Sequence, residues 1–444
     1  MQRIDFNRRQ TLQKLSVLTL APLVPAGVVA NAVSAIHALP RFALVIGNSR
    51  YDAAPLRNPA NDATAIAEEL KRFGFSVSVQ LDVKRAAMEE GIRAFGGSVA
   101  KQKGVGLFYF AGHGLQLSWR NFLVPVDAVL DRAEDVPRQA IDLTTLLDGL
   151  NKAGNPLNIV ILDACRDNPF GSDLKTGKGL SQVDAPIGTL LAYATAPGNV
   201  ASDGGGSNGL YTESILREIR TPEAKIEDVF KRVRLAVRRA SQGQQIPWES
   251  TSLEDDFYFL PPADIKKLSQ EELDRQFAEE AAIWEKAQQA ADVRPVEAYI
   301  RRYPSGRFSE LAQVRLDRML AKQGEKKVSL VNTAANPFTK GTGVIDLTYR
   351  VGDRYVFRTL DLLTNVEGRR LANTVSEVTE DQVIYNNGAL VTDLLGNLIK
   401  RPDGARFGPN QFFISEYVLG KKWATRYAIH FAKGGEDVIE LDLK

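Results

Sequence analysis

The run Asn158-Ile159-Val160-Ile161-Leu162 has no polar break after its first residue and is rich in β-branched side chains. Such a segment fits a strand covered on both faces, not one with a wet side. It feeds directly into Asp163-Ala164-Cys165-Arg166-Asp167, which holds the only cysteine of the chain. A buried strand that carries an acid, a small residue and a thiol to its exposed end is a means of presenting a nucleophile. A second run, Val105-Gly106-Leu107-Phe108-Tyr109-Phe110, ends in Ala111-Gly112-His113-Gly114, and its histidine is one of three in the chain. Parallel strands ending side by side place His113 next to Cys165, which predicts a cysteine-histidine hydrolase.

Between residues 41 and 260 strand-like and helix-like segments alternate. Strands are expected at Phe42–Ile46, Phe75–Gln80, Gly106–Phe110, Ile159–Leu162, Thr189–Tyr193 and Phe257–Leu260. Helices are expected at Asn61–Phe73, Lys84–Ala100, Leu143–Lys152, Leu210–Ile219 and Ile226–Ser241. This alternation predicts an α/β layered domain with a mainly parallel six-stranded sheet flanked by helices. Sites in such sheets lie at the carboxyl ends of the strands, where both His113 and Cys165 fall.

Residues 262–323 read as a helical spacer. Ser269 and Glu272 have capping-box spacing, and Leu273, Phe277, Ala281 and Trp284 then recur at helical intervals. Asp292-Val293-Arg294-Pro295 breaks the pattern, and Arg302-Tyr303-Pro304-Ser305-Gly306-Arg307 is a turn between two further helices. Residues 324–344 are small and polar, the composition of a linker. Over 345–444 the period shortens to that of a small antiparallel β domain, with turns at Asn386-Asn387-Gly388 and Pro402-Asp403-Gly404. Its His430 has no cysteine or histidine nearby. Adhesion, substrate recruitment and structural capping are all open to this domain, as is a protein partner.

At 444 residues the chain has room for two or three domains, and a net charge of +2 gives no bulk field for nucleic acid or an anionic membrane. One cysteine excludes an intramolecular disulfide framework. Arg8-Arg9 precede a mildly apolar stretch from Leu15 to Ala30, with small-residue cleavage sites at Ala30-Asn31-Ala32 and Val33-Ser34-Ala35. Residues 1–35 therefore resemble a twin-arginine signal peptide, and the expectation is a periplasmic or secreted protein with no stable membrane span after signal removal. The competing reading of this segment is an uncleaved anchor helix.

Several motifs, in order, resemble the caspase-like cysteine peptidases, peptidase family C14, and especially its bacterial orthocaspase and metacaspase branches. Phe110-Ala111-Gly112-His113-Gly114 resembles their histidine motif. Asp163-Ala164-Cys165-Arg166 resembles the caspase Gln-Ala-Cys-Arg motif, and a histidine about fifty residues upstream belongs to that known signature. Ala192-Tyr193-Ala194-Thr195-Ala196-Pro197-Gly198 resembles the border of the substrate groove, while Gln245-Ile246-Pro247-Trp248 and Phe257-Tyr258-Phe259 resemble the closing strand. The resemblance implies an endopeptidase with Cys165 as nucleophile and His113 as general base and acid. The backbone N–H groups of Gly114 and Cys165 are the candidate oxyanion donors.

Where caspases hold a substrate aspartate in a basic pocket, this chain has acids. Asp163 stands at the glutamine position, Asp203 falls on a pocket arginine, and Leu56-Arg57-Asn58-Pro59-Ala60-Asn61-Asp62 resembles the metacaspase stretch that supplies another pocket acid, here Asp62. Three carboxylates invert the preference toward Arg or Lys before the scissile bond. Asp62 is equally placed to cap its own helix. A basic preference also implies self-processing after Lys175 or Lys178, in the loop where caspases are cut. Metacaspases often need calcium, but the acids Asp127, Asp131, Glu134 and Asp135 lack EF-hand spacing, so no metal or other cofactor is expected to be required. Metacaspase likeness also leans toward a monomer. The rival reading is a catalytically inactive caspase-like scaffold or binding module, and a third is a thiol hydrolase acting on non-peptide amides.

Overall fold

The structure is a computed structural model. It describes residues 36–165, 180–181, 183–196, 206–262, 269–326, 342–344, 347–360, 366–418 and 423–443. The expected signal peptide, Asp203, Lys175 and Lys178 lie outside these residues.

The first sheet has the order β2-β1-β3-β6-β7-β8. Its strands are β1 (Arg41–Gly47), β2 (Phe75–Leu81), β3 (Val105–Leu117), β6 (Leu157–Cys165), β7 (Thr189–Tyr193) and β8 (Trp248–Thr251). All neighbours pair in parallel except β7 and β8. Side chains alternate across each strand, so odd and even positions of β3 and β6 feed two different cores. Tyr109, Ile159 and Ile161 pack with α1 (Pro59–Arg72), α5 (Leu210–Glu218) and α6 (Ile226–Ala240). Phe108, Phe110, Val160 and Leu162 pack with α2 (Arg85–Gln102) and α4 (Leu143–Ala153). The unbroken apolar run at Ile159–Leu162 is thus covered on both sides, as its composition requires.

Two sequence expectations change in detail. β3 does not stop at Phe110; it continues through His113 to Leu117 and folds back as a hairpin with β4 (Arg120–Leu123), which in turn pairs with β5 (Ile141–Asp142). The expected last strand at Phe257–Leu260 is not a strand. Phe257 and Phe259 are buried, but only Tyr258 makes a bridge, to Lys225, and the sheet is closed by β8 instead. Burial of alternate aromatics mimics a strand period without the ladder. A four-residue helix, α3 (Val136–Gln139), leads into β5.

Three helices follow: α7 (Gln270–Gln289), α8 (Val293–Arg302) and α9 (Ser309–Lys322). The capping box closes the start of α7, with the Glu272 N–H donating to Ser269 Oγ at 3.3 Å and the Ser269 N–H donating to Glu272 Oε2 at 2.8 Å. Asp292 caps α8 by accepting from the Arg294 N–H, and Pro295 sits in the first turn, where a missing N–H costs nothing. Trp284, Tyr299, Phe308 and Leu316 form their core, joined by Leu235 from α6. Arg238 of α6 is buried and ion-paired with Asp317 and Glu325.

The last unit is an eight-stranded antiparallel sheet. Its order is β10 (Arg354–Leu360), β11 (Glu367–Val378), β12 (Gln382–Tyr385), β13 (Leu390–Asp393), β14 (Leu398–Lys400), β15 (Arg406–Phe407), β17 (Trp423–His430), β18 (Glu436–Leu443). β9 (Thr342–Val344) and β16 (Glu416–Val418) pair separately. The two expected turns join β12 to β13 and β14 to β15. Val375, Val383 and Tyr385 pack on Val314 and Leu311 of α9. Arg315 and Arg318 of the same helix reach Asp381 and the carbonyls of Thr379 and Glu380.

Candidate active site

The register of β3 against β6 pairs Phe110 with Leu162, Ala111 with Asp163, Gly112 with Ala164 and His113 with Cys165. The histidine and the cysteine, far apart in the chain, are therefore direct cross-strand neighbours. His113 is the residue at which β3 leaves the parallel sheet and enters its hairpin with β4.

Its flanking glycines have separate physical causes. Gly112 has φ +153°, and a Cβ there would lie 2.6 Å from Tyr51 Oη. A Cβ on Gly114 would lie 2.9 Å from the Ala164 Cβ, so glycine is what lets β3 come this close to β6. Tyr51 fastens the turn: its hydroxyl donates to the Val124 carbonyl at 2.9 Å and accepts from the His113 N–H at 3.0 Å. Its ring also lies against the imidazole, with centroids 4.4 Å apart.

The imidazole is buried, and its Nε2 lies 2.7 Å from the Ala54 carbonyl oxygen. A carbonyl can only accept, so this contact assigns the proton of the neutral ring to Nε2 and leaves the basic lone pair on Nδ1. Sequence reasoning found neither Tyr51 nor Ala54. A backbone carbonyl has no sequence signature. Tyr51 had a topological one, since it follows β1, the strand beside β3.

Asp163 and Asp62 converge from different elements. Asp163 is half-buried near the end of β6, and its Oδ2 accepts from Thr212 Oγ1 of α5 at 2.6 Å. Tyr109 Oη, in turn, is 2.6 Å from the same hydroxyl; with the Thr212 proton given to Asp163, Tyr109 is the donor. Full burial holds the Tyr109 phenol well above its ordinary pKa, and the charges of Asp163 and Asp62 raise it further. Asp62 is 3 % exposed and does not cap its own helix. Its Oδ1 accepts from the Gly209 N–H at 2.9 Å and from Asn208 Nδ2 at 2.8 Å, tying α1 to the start of α5. Thus Asp163 is bonded to a buried Tyr-Thr pair whose phenol also feels the charge of Asp62, and the sequence reading missed both Thr212 and Tyr109.

Three of the acids considered for calcium make contacts of their own, Glu134 with Arg132. Asp127 accepts from the Arg85 N–H at the first turn of α2, and Asp135 accepts from the Arg132 N–H. Among the described residues no group of three or more His, Cys, Asp or Glu side chains could hold a metal ion, and no helix is long and apolar enough to cross a membrane.

Part of the chain has counterparts among known proteins. Residues 40–258 match the family model of the caspase domain. The chain is 30% identical over 177 residues to human mucosa-associated lymphoid tissue lymphoma translocation protein 1, covering 38% of this chain and 20% of that protein. The mouse homologue matches with the same identity and coverage. The chain spans about a fifth of the length of these curated relatives. Residues 40–258 form a caspase-like domain, the part of the chain that matches the C14 peptidase family model.

Proposed function

We propose that this domain is a cysteine endopeptidase that hydrolyses peptide bonds after Arg or Lys, with Cys165 as nucleophile and His113 as general base and acid. The observation that carries the reading is the cross-strand pairing of His113 with Cys165. It is supported by the Ala54 contact, which leaves Nδ1 as the proton acceptor. A free thiol has a pKa of about 8.5, so near neutral pH a base must take its proton. His113 Nδ1 accepts the Cys165 proton, and the thiolate attacks the scissile carbonyl. The oxyanion forms beside the Gly114 and Cys165 N–H groups. As the C–N bond breaks, the imidazolium gives its proton to the leaving amine. Water then attacks the thioester, loses a proton to His113, and releases the acid as the C–S bond breaks and the thiol is restored.

The acidic pocket rests on Asp163, which stands two residues from the nucleophile. Asp62 adds negative charge from α1, and Asp203 is the third proposed carboxylate. In the same reading, self-processing occurs after Lys175 or Lys178, no metal is needed, and the chain is exported through its Arg8-Arg9 segment.

The test is a panel of fluorogenic peptides with Arg, Lys or Asp before the scissile bond, each with calcium or a chelator. Arg and Lys peptides are turned over, and Cys165→Ala loses at least about 10³-fold in kcat/KM. On a denaturing gel the active protein, unlike Cys165→Ala, shows two catalytic-domain fragments. A preference for Asp removes the acidic pocket, and absence of turnover on every peptide returns the domain to a scaffold.

A further inference from the structure

Among the described residues the C-terminal sheet ends in two edge strands. Strands β10 and β18 are its terminal members, and neither pairs with a further strand among the described residues. An exposed edge offers unpaired N–H and C=O groups to any strand that fits, and charged side chains usually guard it. Here the two guards have opposite sign. β10 carries the exposed row Arg354-Val356-Arg358, and β18 carries the exposed row Glu436-Val438-Glu440.

The pairing register shows that both rows lie on one face. Val356 pairs with Ala372, and beyond the β11 bulge Glu377 pairs with Ile384. The same face continues through Val391, Lys400, Arg406 and His430 to Glu436. On the other face Tyr355 contacts Tyr385, and the half-buried Ile439 and Leu441 alternate along β18. Every neighbouring pair in this sheet is antiparallel, and there are eight strands, so β10 and β18 run in opposite directions.

These facts specify what fits. We propose that β10 of one chain pairs antiparallel with β18 of a second copy of this chain, extending the sheet from molecule to molecule. Added without turning over, the second copy presents β18 antiparallel to β10 with matching faces. Arg354 then stands opposite Glu440, Val356 opposite Val438 and Arg358 opposite Glu436, while Tyr355 meets Ile439 on the other side. The Val-to-Val centre is apolar on both strands: Val356 is 56% exposed and Val438 is 50% exposed in the single chain. Existing partners are weak competitors, because Arg358 lies 3.9 Å from the exposed Glu367, and Glu436 lies 3.5 Å from the exposed His430. Pairing of β10 with another β10 sets Arg against Arg, and β18 with β18 sets Glu against Glu, so both self-pairings are disfavoured. The contact is heterologous: each added copy leaves one basic and one acidic edge for the next, and the assembly grows as an open row unless it closes into a ring. This departs from the monomer that metacaspase likeness implies, and it is independent of the peptidase reading.

Charge exchange in the full chain tests it by sedimentation velocity at rising protein concentration. The parent chain is expected to form species larger than dimers that dissolve as salt is raised. Glu436→Arg/Glu440→Arg makes both edges basic, and Arg354→Glu/Arg358→Glu makes both acidic; each alone weakens assembly by about tenfold or more. Mixing the two variants, or combining all four changes in one chain, restores it. All four positions are exposed, and circular dichroism checks that each variant is folded. A parent chain that stays monomeric at every concentration overturns the proposal. So does assembly that ignores both reversals, or a mixture that fails to recover.

Discussion

The two sheets of this molecule are built on opposite terms. In the first, β1, β3, β6 and β7 are covered on both faces, and Leu44, Phe108, Val160 and Leu191 are fully buried. In the second, β10 and β18 are edge strands, and Val356, Phe357, Leu360 and Val438 face solvent. A doubly covered sheet has little freedom of register, because any slip would push apolar side chains against the wrong layer. That rigidity is what allows His113 and Cys165 to be neighbours at a fixed step of the ladder. A sheet packed on one side tolerates exposure and leaves edges open, which suits contact with other chains. The contrast separates a part that must hold atoms in place from a part free to meet partners.

The contrast can be broken most severely in the first sheet. Phe108→Ala removes a fully buried ring between the sheet and its covering helices and is expected to cost about 3–5 kcal/mol, read from the denaturant midpoint of the caspase-like domain. A loss below about 1 kcal/mol would show that this core is loose after all. The second sheet also carries a buried carboxylate, Asp393, which is pushed up to about 6 by burial despite the N–H groups of Leu395 and Asn397. Its folded-state value lies above the unfolded one of about 3.9, so its contribution is full below that pH and fades as pH rises toward 6. Lowering the pH from 7 to 4 should therefore relieve at most about 3 kcal/mol of strain on the β domain. Asp393→Asn should remove that pH dependence, as followed by calorimetry, and an unchanged profile would assign it to other groups.

A third measurement sharpens the role of the turn at His113. Gly112→Ala puts a Cβ against Tyr51 Oη in backbone space that favours glycine, a strain of about 1–3 kcal/mol. If the histidine depends on that turn, peptide hydrolysis falls more than stability does; equal losses would make Gly112 a packing residue only. Asp163→Asn should lower kcat/KM for Arg peptides about 10- to 100-fold while leaving the thiol's reaction with a small alkylating agent unchanged. At the small end, Val356→Thr on β10 should shift the stability of the isolated chain by no more than about 0.5 kcal/mol.

The contrast also explains what could be read from the sequence. Strands buried on both faces announce themselves, and the runs ending at His113 and Cys165 needed only parallel neighbours to meet. Gly112 and Gly114 were visible as letters, but their reasons, a Tyr51 hydroxyl and an Ala164 methyl, belong to other elements. The Ala54 carbonyl is main chain and carries no letter of its own. Phe257 and Phe259 misled because two buried aromatics at alternate positions satisfy a strand pattern that the backbone does not complete. In the C-terminal domain, turn residues located the hairpins, whereas the opposite charges of its two edges acquired meaning only once the strand order was known.

The arginines of α6 and α9 give the molecule a second continuity beside its peptide bonds. Arg238 grips Asp317 and Glu325, and Arg315 grips Asp381 across the next junction. A protease nick anywhere between positions 327 and 341 would interrupt the covalent thread to the last sheet, yet the side-chain grip would still carry that sheet along with the peptidase, as one particle in two pieces.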